Sequence, residues 1–171
     1  GVDCSSKSFA FSLFEDGQLK HYGQVFFDSG DVYSRMHHAN KQMQAMTSIL
    51  YDIDAVYFEA ATYIQNKQTV ILIAYVMGGA LSPLLNDNTI VQSVPPITWQ
   101  RVMNPPLSKK EKEALTKKHS DRSQSWIKAL WRKEHKARGI EAADKLYSAK
   151  VTSDDVSDAI LLGGYGVKQW Q

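Results

Sequence analysis

A single cysteine, Cys4, in 171 residues rules out an internal disulfide and suits a reducing, cytoplasmic setting. No histidine or second cysteine lies near it in sequence, so it reads as a small buried strand residue rather than a reactive thiol. Zinc patterns are missing too: His21, His37, His38, His119 and His135 share no ligand spacing with Cys4. There is no P-loop and no dinucleotide-binding glycine pattern, and Gly163-Gly164-Tyr165-Gly166 reads as the C-cap and exit of a helix. The longest apolar stretch, Thr69 to Leu85, is interrupted by Tyr75, Gly78, Gly79, Ser82 and Pro83. It is too short and broken to read as a membrane span and predicts a buried helix. No signal-peptide pattern opens the sequence, so no membrane partner is expected. Disordered, collagen-like and coiled-coil classes are excluded by 43% hydrophobic and 22% charged residues, which describe one ordinary globular domain with a real core.

Neither sign of charge dominates, the net being +2, but the distribution is uneven. Fourteen of the 20 Lys and Arg residues fall between Arg101 and Lys150, against six acids there. A basic segment on an otherwise acidic body points to a polyanionic partner, although solvated helix faces would give the same count.

Along the chain, Val2 to Cys4 reads as a short strand before a Ser-Ser-Lys turn. Phe9, Phe11 and Leu13 alternate in a second strand, and Asp16-Gly17 is a hairpin turn into a third that ends near Phe27. Met36, Met43, Met46, Ile49 and Leu50 recur at helical spacing from Asp31, a candidate N-cap, to about Tyr51. Asp54 to Ala60 reads as a buried strand, Gln68 to Leu84 as the apolar helix, and Thr89 to Val94 as another strand before Pro95-Pro96. A short helix is expected at Ile97 to Met103, and charged helix from Leu107 to Gly139, carrying Trp126 and Trp131 as packing residues. A last helix, capped by Thr152, runs through Leu162. Antiparallel strands followed by alternating β and α units predict a mixed sheet with helices on both faces.

Acidic residues stand at unusual places in this layout. Asp3 lies inside the first strand, Glu59 ends the apolar VYFE, and Asp155 and Asp158 are three apart on one helix face. Asp154 is turned roughly 100° from Asp155 and is expected off that face. Taken singly, each acid has a plain structural explanation, as turn former, strand end or helix cap. Together, carboxylates at sheet-core positions are costly unless neutralised, and four converging ones make an oxygen-ligand site suited to Mg²⁺ or Mn²⁺. Two such ions about 4 Å apart activate a water and stabilise the leaving oxygen of a phosphodiester.

The segments GVDCSSKSFAFSLF, VYFEAATYIQNKQTVILIAYVMGGAL and TSDDVSDAILLGGYG resemble, in order and spacing, three motifs of the RuvC-type Holliday-junction resolvases, especially the short phage-encoded members. The resemblance covers nearly the whole chain. It implies a ribonuclease H-like α/β fold with a five-stranded mixed sheet, and maps the metal-ligating and catalytic acids onto Asp3, Glu59, Asp155 and Asp158. It further implies two Mg²⁺ per site, with Mn²⁺ able to substitute, branched DNA as substrate, a homodimer as active unit, and the host cytoplasm as location if phage-encoded. The family's aromatic wedge after its glutamate falls nearest Tyr63. Its basic residues near the site match Arg101 and Arg122 by position, with Lys109, Lys110, Lys117 and Lys118 as further candidates for DNA contact. Ser5 stands where the family has a glycine, and Asp3 lies so near the first residue that a native start slightly upstream is expected.

The Asp3 opening is similar also to sugar kinases and actin-like ATPases, but those need two lobes and an adenosine pocket, for which 171 residues are too few. A broad branched-DNA or flap nuclease, a ribonuclease H, and a non-cleaving DNA-binding protein of the same fold remain open at this level.

Overall fold

The Asp16-Gly17 turn closes the first hairpin with both residues left-handed, φ 51° and 76°, as a two-residue turn between twisted strands requires. It joins β2 (Ser8–Glu15) to β3 (Gln18–Phe26), and β2 pairs on its other side with β1 (Val2–Cys4). The structure is a computed structural model and describes residues 1–27, 30–47, 53–60 and 67–170. After the meander come α1 (Val32–Thr47), β4 (Ala55–Glu59), α2 (Lys67–Leu81) with a 3-10 turn at Ser82–Leu84, and β5 (Ile90–Val94). Four helices follow: α3 (Pro96–Met103), α4 (Lys109–Lys118), α5 (Gln124–Tyr147) and α6 (Asp154–Gln169). The sheet order is β3-β2-β1-β4-β5, with β1, β4 and β5 parallel to one another.

Each face of the sheet has its own core. Val2, Phe9 and Val56 pack with Ala39 and Met43 of α1 and Val76, Ala80 and Leu81 of α2. On the other face Ala10 and Val94 pack with Trp99 and Met103 of α3, Ala143 of α5, and Ile160, Leu161 and Leu162 of α6. Full burial of each Val, Leu, Ile, Met or Phe side chain among these contributes roughly 1.5–3 kcal/mol. Alternation along a strand then decides where the acids go. Val2 and Phe58 belong to the α1–α2 side, so Asp3 and Glu59, one residue on in each strand, face α6.

Caps set the helix starts. Asp31 Oδ1 accepts from Tyr33 and Ser34 N–H at 2.9 and 3.0 Å, as expected of an N-cap. The expected turns of α1 at Ile49, Leu50 and Tyr51 lie outside the described residues. The charged run from Leu107 is two helices: Ser108 and Glu111 form a capping box on α4, the chain turns at 119–123, and Ser123 caps α5, which runs past Gly139 to Tyr147. Ser153, not Thr152, caps α6.

Two further expectations need correction. Gly163 and Gly164 do not end the last helix, which continues to Gln169. They let it lie close on its neighbours: a Cβ on Gly163 would strike Ser12 and Phe14, one on Gly164 the Tyr147 hydroxyl, and one on Gly166 would come within 2.6 Å of the Tyr57 ring. Nor is the apolar helix α2 buried. Only Val76, Ala80 and Leu81 are, while Ile71 is 53% and Tyr75 45% exposed. The window Lys67–Leu84 has mean hydropathy 1.2 and by length and composition alone could cross a membrane. In the fold it is instead one layer, packed on α1 and the sheet by its single buried stripe.

Candidate functional site

At the carboxyl ends of β1 and β4, Asp3 and Glu59 meet the N-terminus of α6, which brings Asp154, Asp155 and Asp158. Ligands of open α/β sheets bind at this end of the parallel strands. The positive pole of the α6 dipole lies among the acids and favours their charge. Gly139 of α5 lets that helix approach here: a Cβ at this position would stand 3.5 Å from Asp158 Oδ1 and 3.0 Å from Asn104 Nδ2.

Burial, then the charges of Glu59, Asp155 and Asp154, push the Asp3 carboxyl up to about 7, opposed by Lys136. Burial, then Asp3, Glu59 and Asp154, push Asp158 up to about 8, again opposed by Lys136. Burial also raises Glu59, against a hydrogen bond in which Trp99 Nε1 donates to its Oε2 at 2.9 Å. Gln24 Nε2 donates to Asp155 Oδ2 at 2.9 Å. The acids therefore sense one another across three elements, as carboxylates sharing one site must. Among the described residues, no three His, Cys, Asp or Glu side chains close in as ligands of a single ion. The donor chemistry, oxygen throughout with mutually repelling and part-buried carboxyls, nonetheless fits hard divalent cations. Cys4 beside Asp3 has its thiol pushed up to about 12, by burial first, and is inert.

Asp154 is nearer the cluster than its 100° offset from Asp155 suggested. It is four residues from Asp158, so those two also share a face, and its charge acts on both Asp3 and Asp158. It is ion-paired with Lys136 of α5.

The basic candidates are farther out. Arg101 is exposed on the last turn of α3. Lys109 and Lys110 open α4, Lys109 pairing with Glu113 at 3.8 Å, and Lys117 and Lys118 close it. Arg122 lies in the α4–α5 turn, paired with Asp121 and stacked over Trp126 at 5.4 Å. These six line an exposed arm and its approach, and the cation that acts on the acids is Lys136. Tyr63 lies outside the described residues. A cavity of about 730 Å³ sits at the other end of the strands between Gly17, Asp54 and Gly166 and includes none of the four acids.

Sequence reasoning passed over Lys136, Gln24 and Trp99. Lys136 was one lysine among fourteen basic residues, and its i+3 spacing from Lys133 carries no signal. Trp99 lies within the helix after the fifth strand, where an aromatic reads as core. Gln24 is a polar residue in an edge strand, with nothing in its neighbours to mark it.

A mixed five-stranded sheet ordered β3-β2-β1-β4-β5, with helices on both faces, is the arrangement of the ribonuclease H-like fold. No protein-family model matches the sequence, and no curated protein matches it. In three dimensions the chain is similar to a structure of Thermus thermophilus RuvC in complex with a Holliday junction substrate, with a TM-score of 0.69 at 9% identity over 99% of this chain and 93% of that one. A second Thermus thermophilus RuvC structure matches with a TM-score of 0.63 at the same identity and coverage. At such identity the likeness establishes the fold: a five-stranded mixed sheet flanked by helices in the RuvC arrangement.

Proposed function

We propose that this protein is a metal-dependent endonuclease acting on branched DNA, four-way junctions above all. The observation that carries the reading is the meeting of Asp3, Glu59, Asp155 and Asp158 from β1, β4 and α6, with Asp3 held near 7 by burial and the charges of Glu59 and Asp155, and Asp158 near 8 by burial and the charges of Asp3 and Glu59. Buried acids poised near neutrality mark functional sites. The RuvC fold, which in one similar structure holds a Holliday junction, supports the choice of substrate.

In this reading the four acids would hold two divalent cations, Mg²⁺ or Mn²⁺, which when bound supply an activated water and stabilise the leaving oxygen of a phosphodiester. Asp3 and Glu59 come from rigid neighbouring strands and fix one side of the site. Asp155 and Asp158, on successive turns of α6, fix the other. Lys136 offsets part of the acidic charge at the rim through Asp154. Arg101, Lys109, Lys110, Lys117, Lys118 and Arg122 supply phosphate contacts outside the site.

Resolution needs two incisions on opposed strands, and among the described residues one chain carries one such cluster, so the active unit of this proposal is an isologous homodimer. The exposed apolar face of α2, with Ile71 and Tyr75, supports that part of the reading. The test is cleavage of a labelled junction by Asp3→Asn, Glu59→Gln and Asp158→Asn variants. Each is expected to abolish cleavage and leave junction binding intact. Activity within about tenfold of wild type, 1.4 kcal/mol of barrier, would remove that residue from the site.

A further inference from the structure

Two neutral side chains grip the acidic cluster from outside, and neither is an acid or a base. Gln24, paired with Ala10 in the β2–β3 ladder, sends its amide across the sheet to α6. Its Nε2 donates to Asp155 Oδ2 at 2.9 Å and to Ser8 Oγ at 3.2 Å, while its Oε1 accepts from Ser153 Oγ at 3.0 Å. The amide can be turned only one way: reversed, its carbonyl would face a carboxylate oxygen, and both would be acceptors. Ser153 is the N-cap of α6, so the same amide ties the helix start to β3. Trp99, at 0% exposure, holds the other flank, its indole N–H donating to Glu59 Oε2 at 2.9 Å. An indole donates and never accepts, so this bond too has one sense.

The common feature is what the bonds leave over. Each donor engages one oxygen of its carboxylate, Oδ2 of Asp155 and Oε2 of Glu59. The other oxygen accepts no hydrogen bond among the described residues. A lysine or arginine in either place would neutralise the acid and compete with a cation. A neutral donor orients the carboxylate and leaves its charge in place.

We infer that Gln24 and Trp99 are positioning residues: by holding one oxygen each of Asp155 and Glu59, they present the second oxygen to a divalent cation. The inference rests on the proposed reading of the four acids as a cation site. Its contribution to cation affinity is expected to be about 10–100-fold per residue, the usual range for groups that orient ligands.

The experiment is calorimetric titration of the full-length protein with Mn²⁺ alone, for wild type, Gln24→Met, Trp99→Phe and Gly163→Ala. Met keeps the length of Gln without a donor, Phe keeps a buried ring without the N–H, and Gly163→Ala strains α6 a full turn beyond Asp158 as a control for lost stability. Urea midpoints report folding of each variant. The expected result is Mn²⁺ affinity weakened about 10–100-fold in both Gln24→Met and Trp99→Phe, with Gly163→Ala unchanged in affinity though less stable. If Trp99→Phe does not fold, Gln24→Met, at a partly exposed position, decides alone. Wild type binding Mn²⁺ with both variants within twofold of it would overturn the positioning role and leave the cation site standing. Wild type binding no Mn²⁺ would overturn both. An equal loss in Gly163→Ala would reduce the effect to stability and overturn the positioning role as well.

Discussion

Replacing Asp158 by Asn should destroy activity and yet make the cation-free protein more stable, by an amount that depends on pH. Asp158 titrates near 8 in the folded protein against an ordinary 3.8. In the unfolded chain it loses its proton as pH rises through about 4, whereas the folded chain must keep that proton until about 8. Stability from this group is therefore fullest below pH 4 and is lost as pH rises through that window to 8. At 1.36 kcal/mol per pH unit the ceiling is about 6 kcal/mol. Solvent relaxation and repulsion shared with Asp3 and Glu59 reduce that to about 1–3 kcal/mol, since the whole fold is worth only about 5–15. Asn has the shape of the protonated acid and no titration, so the gain should be small at pH 4.5 and full above pH 8. For a domain of this size it corresponds to a Tm rise of roughly 3–10 °C. Thermal melts in EDTA at pH 4.5, 6 and 8.5 measure it. Mg²⁺ at ten times its dissociation constant should then raise wild type by about 1.4 kcal/mol and leave Asp158→Asn nearly unmoved. A variant no more stable than wild type at pH 8.5, or one whose gain is the same at every pH, would refute the electrostatic account of the cluster.

Other outcomes follow from the same structure. Gly163→Ala should destabilise by about 1–3 kcal/mol despite the better helix propensity of Ala, because its methyl meets Ser12 and Phe14; a urea midpoint at or above wild type would show that α6 can shift. Reversing Lys109, Lys110, Lys117 and Lys118 to Glu should weaken junction binding and flatten the log-affinity against log-salt slope by about 4, one per lost phosphate contact; an unchanged slope would make them solvated charges. Sedimentation at micromolar concentration should give about twice 19.3 kDa for wild type and the monomer mass for Ile71→Glu. A wild type monomeric both free and on DNA would remove the paired-incision model and favour a flap or branch nuclease.

What could be read in advance was what local pattern decides. The Asp16-Gly17 turn, the alternation of Phe9 and Phe11, and the Asp31 cap are set within a few residues of themselves, and the structure has them where the pattern puts them. The positions of Asp3 and Glu59 were legible for the same reason, since an acid inside a short apolar strand is conspicuous. The end of α6 was not. Glycines after an apolar helical run look like a C-cap, and only the nearness of Ser12 and Tyr147, from distant parts of the chain, shows that they make room. The exposed surface of α2 is not legible in the sequence, because hydropathy measures the gain from burial and says nothing of what meets it. The angle of Asp154 to Asp155 alone turns it away from the ligand face, although its spacing to Asp158 places it beside the cluster. Gln24 and Trp99 meet their acids across 131 and 40 residues, and no periodicity carries information over such separations.

Junction cleavage by this protein is tested by a panel of substrates. The protein, with Mg²⁺, is given end-labelled four-way junction, three-way junction, flap, linear duplex and RNA–DNA hybrid of matched sequence. The expected result is paired, symmetric incisions in the four-way junction, weaker cutting of the other branched substrates, and none of the duplex or hybrid. Intact junction under conditions where the protein binds it, or preferred cutting of the RNA strand of the hybrid, would contradict the assignment.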